Sequence, residues 1–131
     1  MKFTDLKFTQ NPQGGAGATH TFDNGIMISV QASKNHYCSP REDLWESGTY
    51  SSFEVALLDT NNDKGWVTRD YIKDANDDVL GWQDRDAIDN LMVKIQEQEI
   101  STKALKYAVE NNFITMSQAF EIIRNIKYKQ L

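Results

Sequence analysis

The sequence predicts an α+β domain in which an N-terminal antiparallel sheet is followed by C-terminal helices. Two patterns lead there. Apolar residues alternate with a period of two in segments of residues 1–82, and from residue 84 onward they recur at helical spacing. A chain of 131 residues with 40% apolar content buries roughly two thirds of its unfolded surface, enough for one core without disulfides or a structural metal. The chain is therefore read as one domain, 1–131, mainly β sheet over 1–82 and helical over 84–131.

The elements follow in order. Gln10 to Gly17 combines a proline with three glycines and reads as a loop. Thr19 to Phe22 and Ile26 to Ala32 flank Asp23-Asn24-Gly25, residues that tolerate positive φ, so the pair reads as a hairpin. Ile26, Ile28 and Val30 alternate with Met27, Ser29 and Gln31. A third strand is predicted over Thr49 to Leu58, with Phe53, Val55 and Leu57 on one side and Glu54 and Ala56 on the other. The Asx-rich stretch Asp59 to Gly65 turns the chain into a short strand at Trp66-Val67-Thr68.

Ala87, Ile88, Leu91, Met92 and Ile95 then take helical spacing, with Asp84 or Asp86 available as the cap. A second helix is predicted to start at Ser101 and to stop at Asn111-Asn112. Thr115 and Gln118 are spaced as a capping box for a third, carrying Phe120, Ile122, Ile123 and Ile126.

Composition excludes several classes. The longest apolar runs, such as Ile26 to Ile28 and Val55 to Leu58, fall far short of the roughly 20 residues a membrane helix needs. The start, Met1-Lys2-Phe3-Thr4-Asp5, lacks the apolar block of a secretory signal. The single cysteine, Cys38, forms no intramolecular disulfide and suits a reducing cytoplasm, the expected location. The net charge of −5 hides an asymmetry: residues 1–99 carry −8 and residues 100–131 carry +3. An acidic body disfavours broad nucleic-acid binding, yet a few placed arginines can still hold a small anion.

Few constellations carry chemistry. His20, His36 and Cys38 are too few and too badly spaced for zinc, and no orienting motif makes His36 and Cys38 a base and nucleophile; structural roles account for them. Asp59-x-Asn61-x-Asp63 and Asp74-x-Asn76-x-Asp78 open like calcium loops, but Lys64 and Val79 stand where the bend requires glycine. Asx-rich turns explain both. Residues 101–126 have the outline of a helix-turn-helix, and a small DNA-binding regulator using Lys103, Lys106 and Lys127 is one alternative. However, the third helix offers Ser117, Gln118 and Glu121 at its start and keeps Arg124, Lys127 and Lys129 at its far end. The −8 body admits another: an acidic inhibitor that binds a basic host defence protein or nuclease.

Arginine placement says more. Arg41 and Arg69 fall beside loops and strand ends rich in aromatics: Tyr37, Trp45, Tyr50, Trp66, Tyr71 and Trp82. Guanidinium groups recognise phosphate, aromatic faces stack on bases, and carboxylates such as Asp77 and Asp78 accept ribose hydroxyls. These are the parts of a nucleotide pocket, although surface ion pairs and half-buried sheet aromatics draw on the same residues.

Phe22-Asp23-Asn24-Gly25-Ile26-Met27-Ile28-Ser29-Val30, then Tyr37, Phe53-Glu54-Val55-Ala56 and Asp77-Asp78-Val79-Leu80-Gly81-Trp82 resemble small bacteriophage proteins over residues 22 to about 96. Within that group the order of elements is similar to the anti-Thoeris sponges. The resemblance implies a non-enzymatic homo-oligomer without cofactor or metal that sequesters a cyclic ADP-ribose isomer, an immune signal of the bacterial host; some members also hold cyclic oligonucleotides. It implies ligand-binding roles for Arg41, Trp66, Asn76 and Asp78. A second arginine expected near Val93 is missing, which leaves Arg69, Arg85 and Arg124 as substitutes. On this reading Arg41 and Arg69 hold the pyrophosphate, Trp66 stacks on adenine, Asn76 and Asp78 meet ribose hydroxyls, and Arg124 serves a second site.

Overall fold

The computed structural model describes residues 1–61, 65–72 and 75–127. Six strands form one antiparallel sheet: β1 (Thr9–Gln10), β2 (Ala16–Thr21), β3 (Ile26–Ala32), β4 (Phe53–Asp59), β5 (Gly65–Trp66) and β6 (Leu80–Gln83). Helices α1 (Thr68–Tyr71), α2 (Arg85–Glu110) and α3 (Met116–Lys127) complete the fold. The first five strands lie side by side in chain order, and β6 shares β4's outer edge with β5.

The hairpin forms where expected. Gly25 turns the chain at φ +85°, a left-handed conformation that costs glycine nothing, and the Asn24 side-chain oxygen accepts the Ile26 N–H at 3.0 Å. Pairing of His20 with Ile28 and of Ala16 with Ala32 carries β2 back to Ala16. The glycine-rich loop is therefore shorter than predicted, because Gly17 packs under the side chains of Asn11 and Gln31 as a strand residue. Gln10 likewise pairs, with Ala16.

The third predicted strand starts later, at Phe53, since Ser47–Thr49 form a 3-10 turn. Its alternation is as predicted: Phe53, Val55 and Leu57 are fully buried, and Val55 and Leu57 sit opposite Val30 and Ile28. The strand predicted at Trp66-Val67-Thr68 ends at Trp66. Thr68 instead begins α1, where its buried hydroxyl accepts the Leu57 N–H at 2.9 Å and donates to the Asp78 carbonyl at 2.6 Å. The segments opening with Asp59 and Asp74 as calcium-loop candidates extend into Asp63 and Asp74, outside the described residues.

Asp84 caps α2, accepting the Ala87 N–H at 2.8 Å. Ile88, Met92 and Ile95, all 0% exposed, pack with Phe3, Ile28, Val30, Phe53, Val55 and Leu57 in a single core on one face of the sheet. No helix boundary occurs at Ser101: α2 runs unbroken for 26 residues. The stretch Gln96-Glu97-Gln98-Glu99 consists of good helix formers with no glycine or proline to stop it. The Asn111-Asn112 stop holds, with Asn112 at φ +60°. The Thr115–Gln118 capping box also holds: the Gln118 N–H donates to Thr115 Oγ1 and the Thr115 N–H to Gln118 Oε1. Among the described residues no helix is long and apolar enough to cross a membrane.

Candidate functional site

The opposite face of the sheet is where arginines and aromatics meet. Glu54, Ala56 and Leu58 point to it from β4, by alternation from the buried Phe53, Val55 and Leu57. Trp66 lies directly across from Leu58, which puts its half-exposed indole on this face at the β5 end of the edge. At the other end β6 pairs with Phe53 and Val55 through a bulge that carries Gly81 and Trp82.

Trp82 is the most unusual residue of the site. Its backbone stands at φ +53°, a conformation that costs a bulky side chain about 1–3 kcal/mol and persists only where the surroundings enforce it. Two contacts enforce it: the Trp82 N–H donates to the Tyr37 carbonyl at 2.9 Å, and the Tyr37 and Trp82 rings lie 5.3 Å apart. The close approach depends on Gly81, where a Cβ would come within 2.8 Å of the Tyr37 Cβ. The strain buys no burial, for the Trp82 side chain remains 56% exposed.

Arg41 completes this cluster. Its guanidinium carbon sits 5.3 Å from the centre of the Tyr37 ring, a cation–π contact, and the Tyr37 N–H donates to the Glu54 carboxylate at 2.8 Å. The loop bearing Arg41 is tied down from below. The buried Tyr50 hydroxyl accepts the Leu44 N–H at 2.7 Å and donates to the Glu42 carbonyl at 2.6 Å. Arg85 then donates to the carbonyls of Tyr50 and Ser47 at 2.9 and 3.0 Å and lies over the Phe3 and Phe53 rings. Arg85, one of the substitute arginines, is thus a brace inside the fold. Burial pushes the Cys38 thiol above its usual range, partly offset by the Ser33 backbone and by the Arg41 charge; its Sγ also lies 3.2 Å from the Ser33 carbonyl, to which it donates.

Arg69 and Asp78 fall between the two tryptophans. The Thr68 bridge from Leu57 to Asp78 holds both segments against the middle of the β4 edge, and Arg69 pairs with the Asp78 carboxylate at 3.2 Å. Both side chains are open to solvent. Asn76 is exposed two residues earlier. Of the residues singled out from sequence, Trp66, Arg69 and Asp78 gather on one edge with Asn76 close by in the chain, while Arg41 joins the Trp82 end. From Glu54 to Leu58 the edge spans about 13 Å at 3.3 Å per residue. Arg124 is carried exposed on α3, on the helical side of the sheet, and no hydrogen bond or ion pair ties it to this edge among the described residues.

Tyr37, Glu54 and Trp82 also belong to the cluster, beyond the ligand-binding residues that the sequence singles out. Tyr37 and Trp82 had a signal in the count of aromatics around Arg41, but the left-handed Trp82 has no counterpart in composition or periodicity. Two clefts of about 430 and 420 Å3 lie elsewhere, around the 11–15 loop, and take in His36 and Trp45. None of the arginines lines them. His36 Nδ1 is occupied there by the Ser33 hydroxyl at 2.6 Å, and Ser33 Oγ also accepts the Asn35 N–H, a turn-stabilising arrangement. Among the described residues no group of three or more His, Cys, Asp or Glu side chains is placed to hold a metal ion.

No protein-family model, curated protein or solved structure matches this chain.

Proposed function

We propose that this protein is a phage anti-defence protein that binds a cyclic nucleotide immune signal, a cyclic ADP-ribose isomer, and sequesters it in the host cytoplasm without cleaving it. The observation that supports this reading best is the exposed Trp82 indole, held in a strained backbone conformation beside Tyr37 and Arg41. Strain that exposes a large aromatic instead of burying it serves a ligand better than it serves the fold. A base stacks on such a platform, and a neighbouring guanidinium holds a phosphate.

The assignment of roles shifts accordingly. Trp82 and Tyr37 supply the stacking platform, Arg41 the first phosphate contact, and Trp66 a second platform about 13 Å along the edge. Arg69 is paired with Asp78, so a phosphate competes with that carboxylate for it, and Asn76 and Asp78 are the ribose-facing groups. Arg85 is taken up by the fold, and Arg124, away from this edge, keeps the role of a second-site arginine.

Calorimetric titration with cyclic ADP-ribose isomers, with chromatography of the ligand afterwards, tests this. Saturable binding with the ligand recovered intact is the expected result. Base stacking is worth about 1–3 kcal/mol, so Trp82→Ala weakens binding by roughly 5- to 150-fold. No heat at high micromolar ligand, or recovery of a cleaved product, overturns the reading. Capture of a basic host protein that is released by salt would favour the acidic-inhibitor alternative instead.

A further inference from the structure

We infer that the two clefts flanking the 11–15 loop form one binding site for an uncharged saccharide. They measure about 430 and 420 Å3, each within the size range of small-molecule sites, and they share Asn11, Pro12 and Gly14. None of the residues assigned to the nucleotide lines either cleft, so the inference stands apart from the proposed function.

The walls are fixed before any ligand arrives. The loop closes on itself, since the Gly14 N–H donates to the Asn11 carbonyl and the Asn11 N–H to the Gly15 carbonyl, both at 3.0 Å. Asp43 backs it: a Cβ on Gly14 would come within 2.6 Å of the Asp43 carboxylate. That carboxylate is spent on Lys34, accepting its backbone N–H at 3.0 Å and facing its ammonium at 3.8 Å. In the first cleft Asn11 Nδ2 donates to Gln31 Oε1 at 3.1 Å, and Gln31 Nε2 donates to Ser29 Oγ at 3.2 Å. Trp45, in the second, follows Leu44, whose N–H is held by the buried Tyr50 hydroxyl.

The lining selects the chemistry of the ligand. No lysine, arginine, aspartate or glutamate lines either cleft, so a phosphate or carboxylate would find no countercharge. The polar groups are amides, a hydroxyl and an imidazole. Among the described residues the Gln13 and Asn35 side chains make no hydrogen bond, and His36, with Nδ1 taken by Ser33, keeps Nε2 for a ligand. An amide donates and accepts, as a sugar hydroxyl does. An apolar ligand would strip water from these groups and leave them unpaired. Trp45 lines the second cleft and is 65% exposed. A pyranose carries hydroxyls around its rim and C–H groups on its faces, so the flat indole meets a face while its N–H is available to a hydroxyl. Clefts that join at one loop suit successive rings of a short saccharide, one on Trp45 and the next among the amides.

Titration of the full chain with neutral disaccharides and trisaccharides of glucose, galactose, mannose and N-acetylglucosamine, at millimolar concentration, tests the inference through the indole N–H signals. At least one sugar should shift the Trp45 signal saturably and leave those of Trp66 and Trp82 in place. Trp45→Ala should weaken that sugar about tenfold, the worth of one aromatic contact, with the melting temperature unchanged. Should that variant misfold, Asn35→Ala, at an exposed position, should weaken it several-fold through the lost hydrogen bond. A Trp45 signal that no sugar moves overturns the inference, as does binding that is unchanged in the folded variants. Adenosine and uridine are titrated alongside, and a Trp45 shift at lower concentration with either than with any sugar overturns it in favour of a nucleobase site.

Discussion

The sheet body and the helical hairpin treat apolar residues in opposite ways, although α2 runs through both. In its first half Ile88, Met92 and Ile95 are fully buried against β3 and β4; past Lys103, whose ammonium reaches Asp23 at 2.9 Å, Tyr107 is largely exposed. The body closes its core within one chain. The hairpin carries an amphipathic pattern yet leaves Tyr107, Phe113, Met116 and Phe120 exposed. Helical periodicity therefore says that a face is apolar, not which molecule covers it.

The largest expected effect breaks this contrast directly. Ile88→Ala should cost about 2–5 kcal/mol in chemical denaturation, as a truncation in a close-packed core does. Phe120→Ala, an equally drastic loss of side chain, should change the unfolding free energy of the dilute monomer by no more than about 0.5 kcal/mol. Comparable losses at the two sites would mean that the hairpin surface is covered within the chain.

A smaller effect is expected at Arg85. Arg85→Met keeps the stem over Phe3 and Phe53 but removes the donors to Tyr50 and Ser47, a loss of about 2 kcal/mol since the two acceptors lose a charged partner. It should also weaken ligand binding, because the loop carrying Arg41 hangs from Tyr50. Parallel denaturation and titration would separate the two effects. The body should further lose stability in alkali. Burial raises both the Cys38 thiol and the Tyr50 phenol above their ordinary values. The folded state therefore favours the neutral forms, and their contribution, full at neutral pH, declines as pH rises past about 8.5 for the thiol and about 10 for the phenol. Melting temperature followed from neutral pH upward should fall through that window. Arg69→Ala is expected to have the smallest effect on stability, below about 0.5 kcal/mol, because its pair with Asp78 is solvent-exposed.

Much of this was legible in the sequence. Alternation in β3 and β4 placed the correct residues in the core, and the Asp23-Asn24-Gly25 turn, the Asp84 cap and the Thr115–Gln118 box are local chemistry. What escaped depended on contacts between distant segments. Gly17 reads as loop until Asn11 and Gln31 are seen above it. Ser101 reads as a helix start although nothing before it ends the helix. The site followed the same division. Trp66, Arg69 and Asp78 could be chosen by residue type, and Thr68 assembles two of them through a hydroxyl that no motif announces. Arg85 and Arg41 look alike in sequence, yet one braces a loop and the other faces solvent. The left-handed Trp82 arises from the bulge and from Tyr37, some 45 positions away.

The three tryptophans provide the most direct test of the central claim, that the arginine and aromatic edge is where the ligand sits. Each gives one indole N–H signal in a nitrogen–proton correlation spectrum, assigned by substitution. On titration with a cyclic ADP-ribose isomer the Trp82 signal should shift first and furthest, with Trp66 following and Trp45, beside the 11–15 loop, unmoved. Saturation with all three signals stationary, or a shift confined to Trp45, would contradict the account.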